Sequence, residues 1–239
     1  LPRRGRQVRF GVKTPDVAVR ATGVEPGSRG STFRLQVAGA GRHPRVQLPL
    51  IGGFNISNAL AAAAAAWALD ETPARIAERL SSMPQVPGRL ERLAERPTVL
   101  RDYSHTPDAL ERALEALRPF TPQRLICVFG AGGERDRGKR PLMGAVAAAN
   151  ADLVIVTSDN PRGEDPERII DDVVAGIARD DYERIADRRV AIARALELAA
   201  PDDVVLLAGK GHETYQVIGT TNVPFDEREI VHELLGAKT

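Results

Sequence analysis

The 239-residue chain has one cysteine, few aromatic residues (4%) and no long apolar run. A single cysteine rules out a disulfide framework and a multi-cysteine zinc site. Scarce aromatics leave the core to aliphatic side chains. The longest apolar stretch, 59–69, is mostly alanine and falls well short of the ~20 residues that cross a bilayer. The N-terminus has no charged-then-apolar leader pattern, so a protein of the reducing cytoplasm is expected, with no membrane association. Hydrophobic residues (43%) and charged residues (27%) stand near the globular average, which excludes a disordered tail or a fibrous repeat. At roughly 150 residues per domain, the length predicts one large domain or two modest ones.

The net charge of +1 conceals an asymmetry. Residues 1–50 carry ten Lys/Arg against two Asp/Glu, and the remainder carries 23 against 30. A basic arm can bind nucleic acid. Here, however, the arginines alternate with apolar residues, as in Arg34-Leu-Gln-Val and Arg45-Val-Gln-Leu. The solvated face of a sheet is the plainer reading, attraction for a small anion is the next, and no nucleic-acid partner is expected.

Residues 1–50 show period-two runs at 7–10, 17–20, 32–37 and 46–50, separated by turns such as Glu25-Pro-Gly-Ser, which predicts antiparallel strands. An alanine-rich helix follows over 57–69. Thr72-Pro73 then opens a second helix, with threonine as N-cap and proline in the first turn. After Gly88 the pattern changes. Apolar runs at 98–101, 125–129, 153–157 and 204–208 alternate with helical stretches at 107–117, 141–149, 166–179, 186–199 and 227–235, the last capped by Asp226 and Glu229. This alternation predicts an α/β fold whose second part is a doubly wound, mostly parallel sheet covered on both faces. Cys127 falls inside one of the apolar runs, as a small buried hydrophobe.

Ligands of such sheets bind beyond the carboxyl ends of the strands. Four of those segments are unusually polar: Asp102-Tyr-Ser-His-Thr-Pro, the glycine- and arginine-rich loop 130–140, Ser158-Asp-Asn-Pro-Arg, and Gly209-Lys-Gly-His-Glu. Each has a plain alternative as a solvated loop or a turn. The last fails as a phosphate loop, because only Ala208 precedes Gly209 and His212 follows Gly211. His105 and His212 have no ligand partner at metal-binding spacing, and His43 and His232 read as surface residues. Taken together, Arg135, Asn160, Arg162 and Glu213 offer two cations and several acceptors along one rim, which suits a zwitterion with more than one carboxylate.

At these segments the chain resembles the Mur ligase family of peptidoglycan synthesis. The resemblance rests on six motifs in the family's order: Gly53-Phe-Asn-Ile-Ser-Asn-Ala-Leu, Pro87-Gly-Arg-Leu-Glu, Asp102-Tyr-Ser-His-Thr-Pro-Asp-Ala-Leu, Gly132-Gly-Glu-Arg-Asp-Arg-Gly-Lys-Arg-Pro-Leu-Met, Asp159-Asn-Pro-Arg and Gly209-Lys-Gly-His-Glu. It implies that residues 1–87 are the β-rich and helical end of a central ATP-binding domain, and that 88–239 are a Rossmann-like amino-acid-binding domain. The implied reaction uses ATP, released as ADP and phosphate, and Mg2+ to convert the D-glutamate side-chain carboxylate of UDP-MurNAc-L-Ala-D-Glu into an acyl phosphate, which the amine of meso-2,6-diaminopimelate attacks.

By motif, Asp159, Asn160, Pro161 and Arg162 would recognise diaminopimelate, with Arg162 on the distal carboxylate that lysine lacks. Arg135 would be a further contact, and the Gly209 carbonyl and Glu213 would receive the ammonium group. Asn55, Arg89, Asp102 and His105 would face the nucleotide. Arg101 and Ser104 depart from the family's pattern, and Arg101 puts local strand packing in question. The phosphate loop, the metal ligands, a modified lysine and the precursor-binding domain would lie upstream of Leu1, so these 239 residues are expected to be a monomeric piece without turnover of its own. A non-catalytic amino-acid-binding module and a ligase for another diamino acid, such as lysine, remain as alternatives. The coding sequence upstream of Leu1 separates module from ligase.

Overall fold

The computed structural model describes residues 7–236 and divides into two compact units on either side of Gln85–Val86. In the first, strands β1 (Phe10–Gly11), β2 (Val19–Gly27), β3 (Gly30–Val37) and β4 (Arg45–Leu48) form one sheet in that order, followed by helices α1 (Gly53–Ala68) and α2 (Pro73–Ser81). The period-two pattern buries Phe33, Leu35, Val37, Val46 and Leu48, and these pack with Ile56, Leu60, Ile76 and Leu80 of the helices. Thr72 caps α2 by accepting the Arg75 N–H at 3.4 Å, with Pro73 in its first turn.

Three expectations for this unit are corrected. The first strand is short and runs parallel to β2, pairing Phe10 with Val19. The Glu25-Pro-Gly segment is strand rather than turn, and the chain reverses at Ser28-Arg29. Pro26 is tolerated there because β1 pairs only with Val19 and Arg20, which leaves the far end of β2 a sheet edge. Helix α1 begins at Gly53, a turn earlier than expected, with Asn55 and Ile56 buried in that added turn.

The second unit holds β5 (Glu91–Glu95), β6 (Thr98–Asp102), α3 (Pro107–Leu117), β7 (Leu125–Phe129), α4 (Lys139–Asn150), β8 (Leu153–Val156), α5 (Pro166–Val174), β9 (Tyr182–Arg184), α6 (Arg188–Leu198), β10 (Val204–Ala208), the hairpin β11 (Tyr215–Ile218) and β12 (Thr221–Pro224), and α7 (Glu227–Gly236). The sheet order is β5-β6-β10-β7-β8-β9, parallel except for β5. Strands β7 and β10 are buried at every residue, which explains their unbroken apolar sequence. Cys127 lies in β7, and burial pushes its thiol up to about 12, leaving it inert.

Helix α5 stops at Val174 instead of 179, and Gly176 just beyond it passes so close to α4 that a Cβ there would stand 1.8 Å from the Pro141 carbonyl oxygen. Helix α6 starts at Arg188, with Asp187 accepting the Val190 N–H at 3.1 Å. Strands β5 and β9 and the hairpin were absent from the sequence pattern. Arg101, the suspected packing fault, is buried between Glu91 (2.7 Å) and Asp226 (3.0 Å).

Candidate functional site

The parallel register decides where polar groups gather. Ala208 pairs with both Asp102 and Phe129, and Phe129 pairs with Val156, so four strands finish level with one another. The loops that follow open on a common rim.

The loop after β8 carries Asp159, Asn160, Pro161 and Arg162, the first three of them buried. It lies directly against the glycine-rich loop after β7. Gly133 donates to the Asn160 carbonyl at 2.9 Å, and a Cβ on Gly133 would stand 1.9 Å from the Pro161 oxygen, so no other residue fits. Arg162 adopts a left-handed backbone (φ 53°), a conformation that costs a bulky residue about 1–3 kcal/mol. The hairpin holds it there. The Arg162 N–H donates to the Val217 carbonyl at 3.0 Å and the Gly219 N–H to the Arg162 carbonyl at 2.8 Å.

The Arg162 side chain is half-buried rather than fully enclosed. Its Nη1 donates to the Gly133 and Asn160 carbonyls at 2.9 and 3.3 Å; Arg162 also lines a cavity of about 820 Å3 with Ser158, Gln216, Ile218 and Phe225, which Asp159, Asn160, Gly209 and Glu213 do not line. Among the described residues, none pairs with its Nε or Nη2. One edge is thus fixed by backbone and the other remains free to grip a carboxylate. Arg135, exposed in the facing loop, reaches only the Glu134 carbonyl, at 3.5 Å.

Acidic groups lie on the inner side. Glu213 Oε2 accepts from Asn160 Nδ2 at 2.9 Å and from Lys210 at 3.2 Å. Asp159 Oδ1 is buried without a hydrogen bond. Gly209 takes φ 116° and donates its N–H to the Asp102 carbonyl at 3.0 Å. Gln216 of the hairpin donates to Ser158 Oγ at 2.8 Å and to the Asp159 carbonyl at 2.5 Å. The structure therefore brings Asp159, Asn160, Pro161, Arg162, Arg135, Gly209 and Glu213 around one rim.

The buried Arg140 fastens the two loops from beneath. It pairs with Glu164 (2.8 Å) and Asp172 (2.9 Å) and reaches the Gly132 carbonyl at 3.3 Å. Hydrogen bonds from Arg140, and then from the Glu134 N–H, hold the Glu164 carboxyl down at about 2, against an ordinary value of 4.5. A carboxyl depressed in the folded state contributes stability above its unfolded value and loses it as pH falls toward the folded one. Glu164→Gln should therefore flatten the loss of stability between about pH 4.5 and pH 2 in urea titrations. An acid limb identical to wild type would show that the pair does not couple to folding.

A second cluster surrounds Tyr103. Arg89 lies over its ring at 5.2 Å from the centroid, His105 meets it edge-on at 4.7 Å, and His212 stands at 5.5 Å. Gly211 (φ 55°) permits this closeness, since its Cβ would come within 2.7 Å of Tyr103 Cβ. Asp102 is buried and turned inward, accepting the Leu90 N–H at 2.7 Å and the Ser104 hydroxyl. Burial pushes its carboxyl up, against the pull of those hydrogen bonds. Lys139 donates to the His105 carbonyl at 2.7 Å, and burial lowers its ammonium value. Asn55 belongs to the first unit, where its amide donates to the Ile51 carbonyl at 2.8 Å and accepts from Asn58 at 3.3 Å. Among the described residues, no group of three or more His, Cys, Asp or Glu side chains could hold a metal ion.

The sequence reading missed three participants. Lys210, fully buried, was given no role, although its place between two glycines just after a wholly apolar strand was an available signal. Gln216 lay in an unrecognised hairpin. The Arg188–Glu227 pair, fully buried, joins α6 and α7 at 2.8 Å and reaches the Ser158 and Ala208 carbonyls, just before both rim loops.

Residues 88–211 match the glutamate ligase domain of Mur ligases, and residues 2–66 match the Mur ligase middle domain. The chain belongs to the Mur ligase family. It is 51% identical to the UDP-N-acetylmuramoyl-L-alanyl-D-glutamate–2,6-diaminopimelate ligase of Synechocystis sp. over 227 residues, 93% of this chain and 43% of that relative. The ligase of the same name from Alkalilimnicola ehrlichii is 50% identical, over 93% of this chain and 45% of its own length. A solved structure of a ligase of that name superposes with a TM-score of 0.71 at 36% identity, covering 96% of this chain and 47% of its own. A Mycobacterium tuberculosis folylpolyglutamate synthase, at 24% identity and a TM-score of 0.66, shares the fold over 81% of this chain. The chain spans somewhat less than half the length of the curated relatives it matches.

Proposed function

We propose that this Mur ligase chain supplies the amino-acid-binding part of an ATP-dependent ligase that joins meso-2,6-diaminopimelate to the D-glutamate side-chain carboxylate of UDP-MurNAc-L-Ala-D-Glu. The observation that carries the reading is Arg162, with one guanidinium edge pinned to the Gly133 and Asn160 carbonyls and the other edge unpaired. The free edge takes the distal carboxylate in parallel hydrogen bonds, and Arg135 takes up further negative charge. Glu213 and Asp159, with the Gly209 carbonyl and Asn160 beside them, receive the ammonium of the same end. Holding both groups of that end leaves the amine at the other end to attack the activated carboxylate, and the gain is one of orientation.

In the same reading the first unit is the end of an ATP-binding domain. Within the second unit, Arg89 and His105 beside Tyr103 are assigned to the nucleotide, with Asp102 behind them; Asn55 is assigned to the nucleotide within the first unit. Asp102 acts through its buried hydrogen bonds to Leu90 and Ser104. ATP activates the carboxylate as an acyl phosphate. No group of three or more metal-ligating side chains is gathered among the described residues, and no step is assigned to Mg2+. The setting is cytoplasmic and the chain is monomeric; among the described residues no helix is long and apolar enough to cross a membrane.

Calorimetry on the 239-residue chain tests the reading. Meso-diaminopimelate is expected to bind, and L-lysine to bind at least ~10-fold more weakly, because it leaves the arginine without its charged partner. Equal or tighter lysine binding would reassign the substrate to a different diamino acid.

A further inference from the structure

The assignment of Glu213 to the substrate's ammonium meets a difficulty in the geometry. One of its two oxygens is already occupied by the protein's own cation. Lys210 stands two residues past the end of β10 and is fully buried. Its ammonium stands 3.0 Å from Asn160 Oδ1, 3.2 Å from Glu213 Oε2 and 3.7 Å from Asp159 Oδ1. A lysine has three donors and no acceptor; two of these donors go to Asn160 and Glu213, and Asp159 stands beyond hydrogen-bond distance as a charge partner.

Two consequences follow for the site. The first concerns orientation. Asn160 Oδ1 accepts both Lys210 and the Val217 N–H (2.9 Å), so its amide nitrogen faces Glu213 Oε2 at 2.9 Å. Oε2 therefore receives two donors, and Oε1 is the oxygen of Glu213 left for a ligand. The second concerns charge. Asp159 and Glu213 share Lys210 as a counter-ion, and Glu213 Oε1 remains to meet one ammonium group. Buried charge without a partner is costly, so this arrangement favours a ligand that brings one cation to this end. Of the remaining cations, Arg135 and Arg162 stand on the loops after β7 and β8, and Lys139, the first residue of α4, donates to the His105 carbonyl while its charge also reaches Asp159.

We infer that Lys210 is a positioning residue for substrate recognition: a built-in counter-ion that aims Glu213 and sets the inner pocket to accept one ammonium group. This rests on the diaminopimelate reading above and assigns the ammonium preference to a residue that does not touch the ligand.

The test uses the 239-residue chain, calorimetry and two probes. Meso-diaminopimelate brings both ammonium groups, whereas 2-aminopimelate keeps both carboxylates and lacks one ammonium. Wild type is expected to prefer diaminopimelate by at least ~10-fold. Lys210→Gln keeps a donor for Asn160 and Glu213 but removes the charge. Lys210→Met removes both.

In Lys210→Met, which frees Glu213 from its aim, diaminopimelate affinity is expected to fall to about that of 2-aminopimelate, whereas Lys210→Gln, which keeps the aim and removes only a competing cation, is expected to keep the preference for diaminopimelate; 2-aminopimelate binding stays within about 2-fold in both. The double variant Lys210→Met/Glu213→Gln is expected to lose no more than Lys210→Met alone, since both changes break one arrangement. Equal losses for both probes, or losses that multiply in the double variant, would overturn the inference and leave Lys210 a purely structural cation. Wild type that binds neither probe would overturn the substrate reading itself. Should Lys210→Met unfold, as read by circular dichroism, Lys210→Gln decides the matter: a retained preference for diaminopimelate supports the inference, and loss of that preference with both hydrogen-bond donors kept overturns it.

Discussion

Arg162→Ala is expected to weaken binding of meso-diaminopimelate by about 10- to 150-fold, the equivalent of the ~1.5–3 kcal/mol carried by a hydrogen-bonded charged group. The basis is the division of labour within one guanidinium. Its inner nitrogen is held by two backbone carbonyls, so the outer edge is presented at a fixed angle, and little rotamer freedom remains to be lost on binding. Lysine is not expected to substitute, because an ammonium on a flexible stem cannot reproduce two parallel bonds while also holding Gly133. The variant forfeits the bonds to the Gly133 and Asn160 carbonyls as well. A modest drop of a few degrees in the unfolding midpoint should accompany the loss of affinity. Calorimetry that returns wild-type affinity would remove Arg162 from the site.

Arg188→Met is expected to cost about 3–5 kcal/mol, because it strands the Glu227 carboxylate where neither partner has solvent contact. Glu227 Oε2 already lacks a hydrogen bond, and burial pushes this carboxyl up even beside Arg188. Arg188 also donates to the Ser158 carbonyl at 3.3 Å and the Ala208 carbonyl at 2.9 Å. For a unit of this size the unfolding midpoint should fall by roughly 10 °C, read by circular dichroism. Arg188→Met/Glu227→Leu should recover much of that loss, since removing both charges leaves nothing stranded. A single variant within 2 °C of wild type would show that the pair contributes little.

Much of this architecture is written locally in the chain. The strands at 125–129 and 204–208 are apolar at each position because they are covered on both faces, and Thr106-Pro107, Thr72-Pro73 and Asp165-Pro166 mark helix starts through side-chain caps. The rim followed from the parallel sheet, since polar segments after successive strands have one edge to occupy. The omissions have a common physical origin. Strand β5 is ordered by β6, and β9 has three residues and takes its conformation from β8. Burial of Lys210 depends on Asn160, fifty positions away. The parallel pairing of β1 likewise depends on a partner rather than on its own pattern. A local reading recognises elements that carry their own signal and passes over those that exist because a neighbour completes them.

The hairpin β11–β12 belongs to the second kind, and its seams have a practical meaning. Backbone and side-chain bonds join it to Ser158, Asp159, Asn160 and Arg162, so the four-residue recognition motif is one half of a two-piece part. A redesign toward another diamino acid that exchanges Asp-Asn-Pro-Arg alone would place the new side chains on a backbone shaped for the old ones. Segments 158–164 and 209–224, the latter carrying Lys210 and Glu213, have to be moved together, and they should be inherited together wherever this specificity is kept.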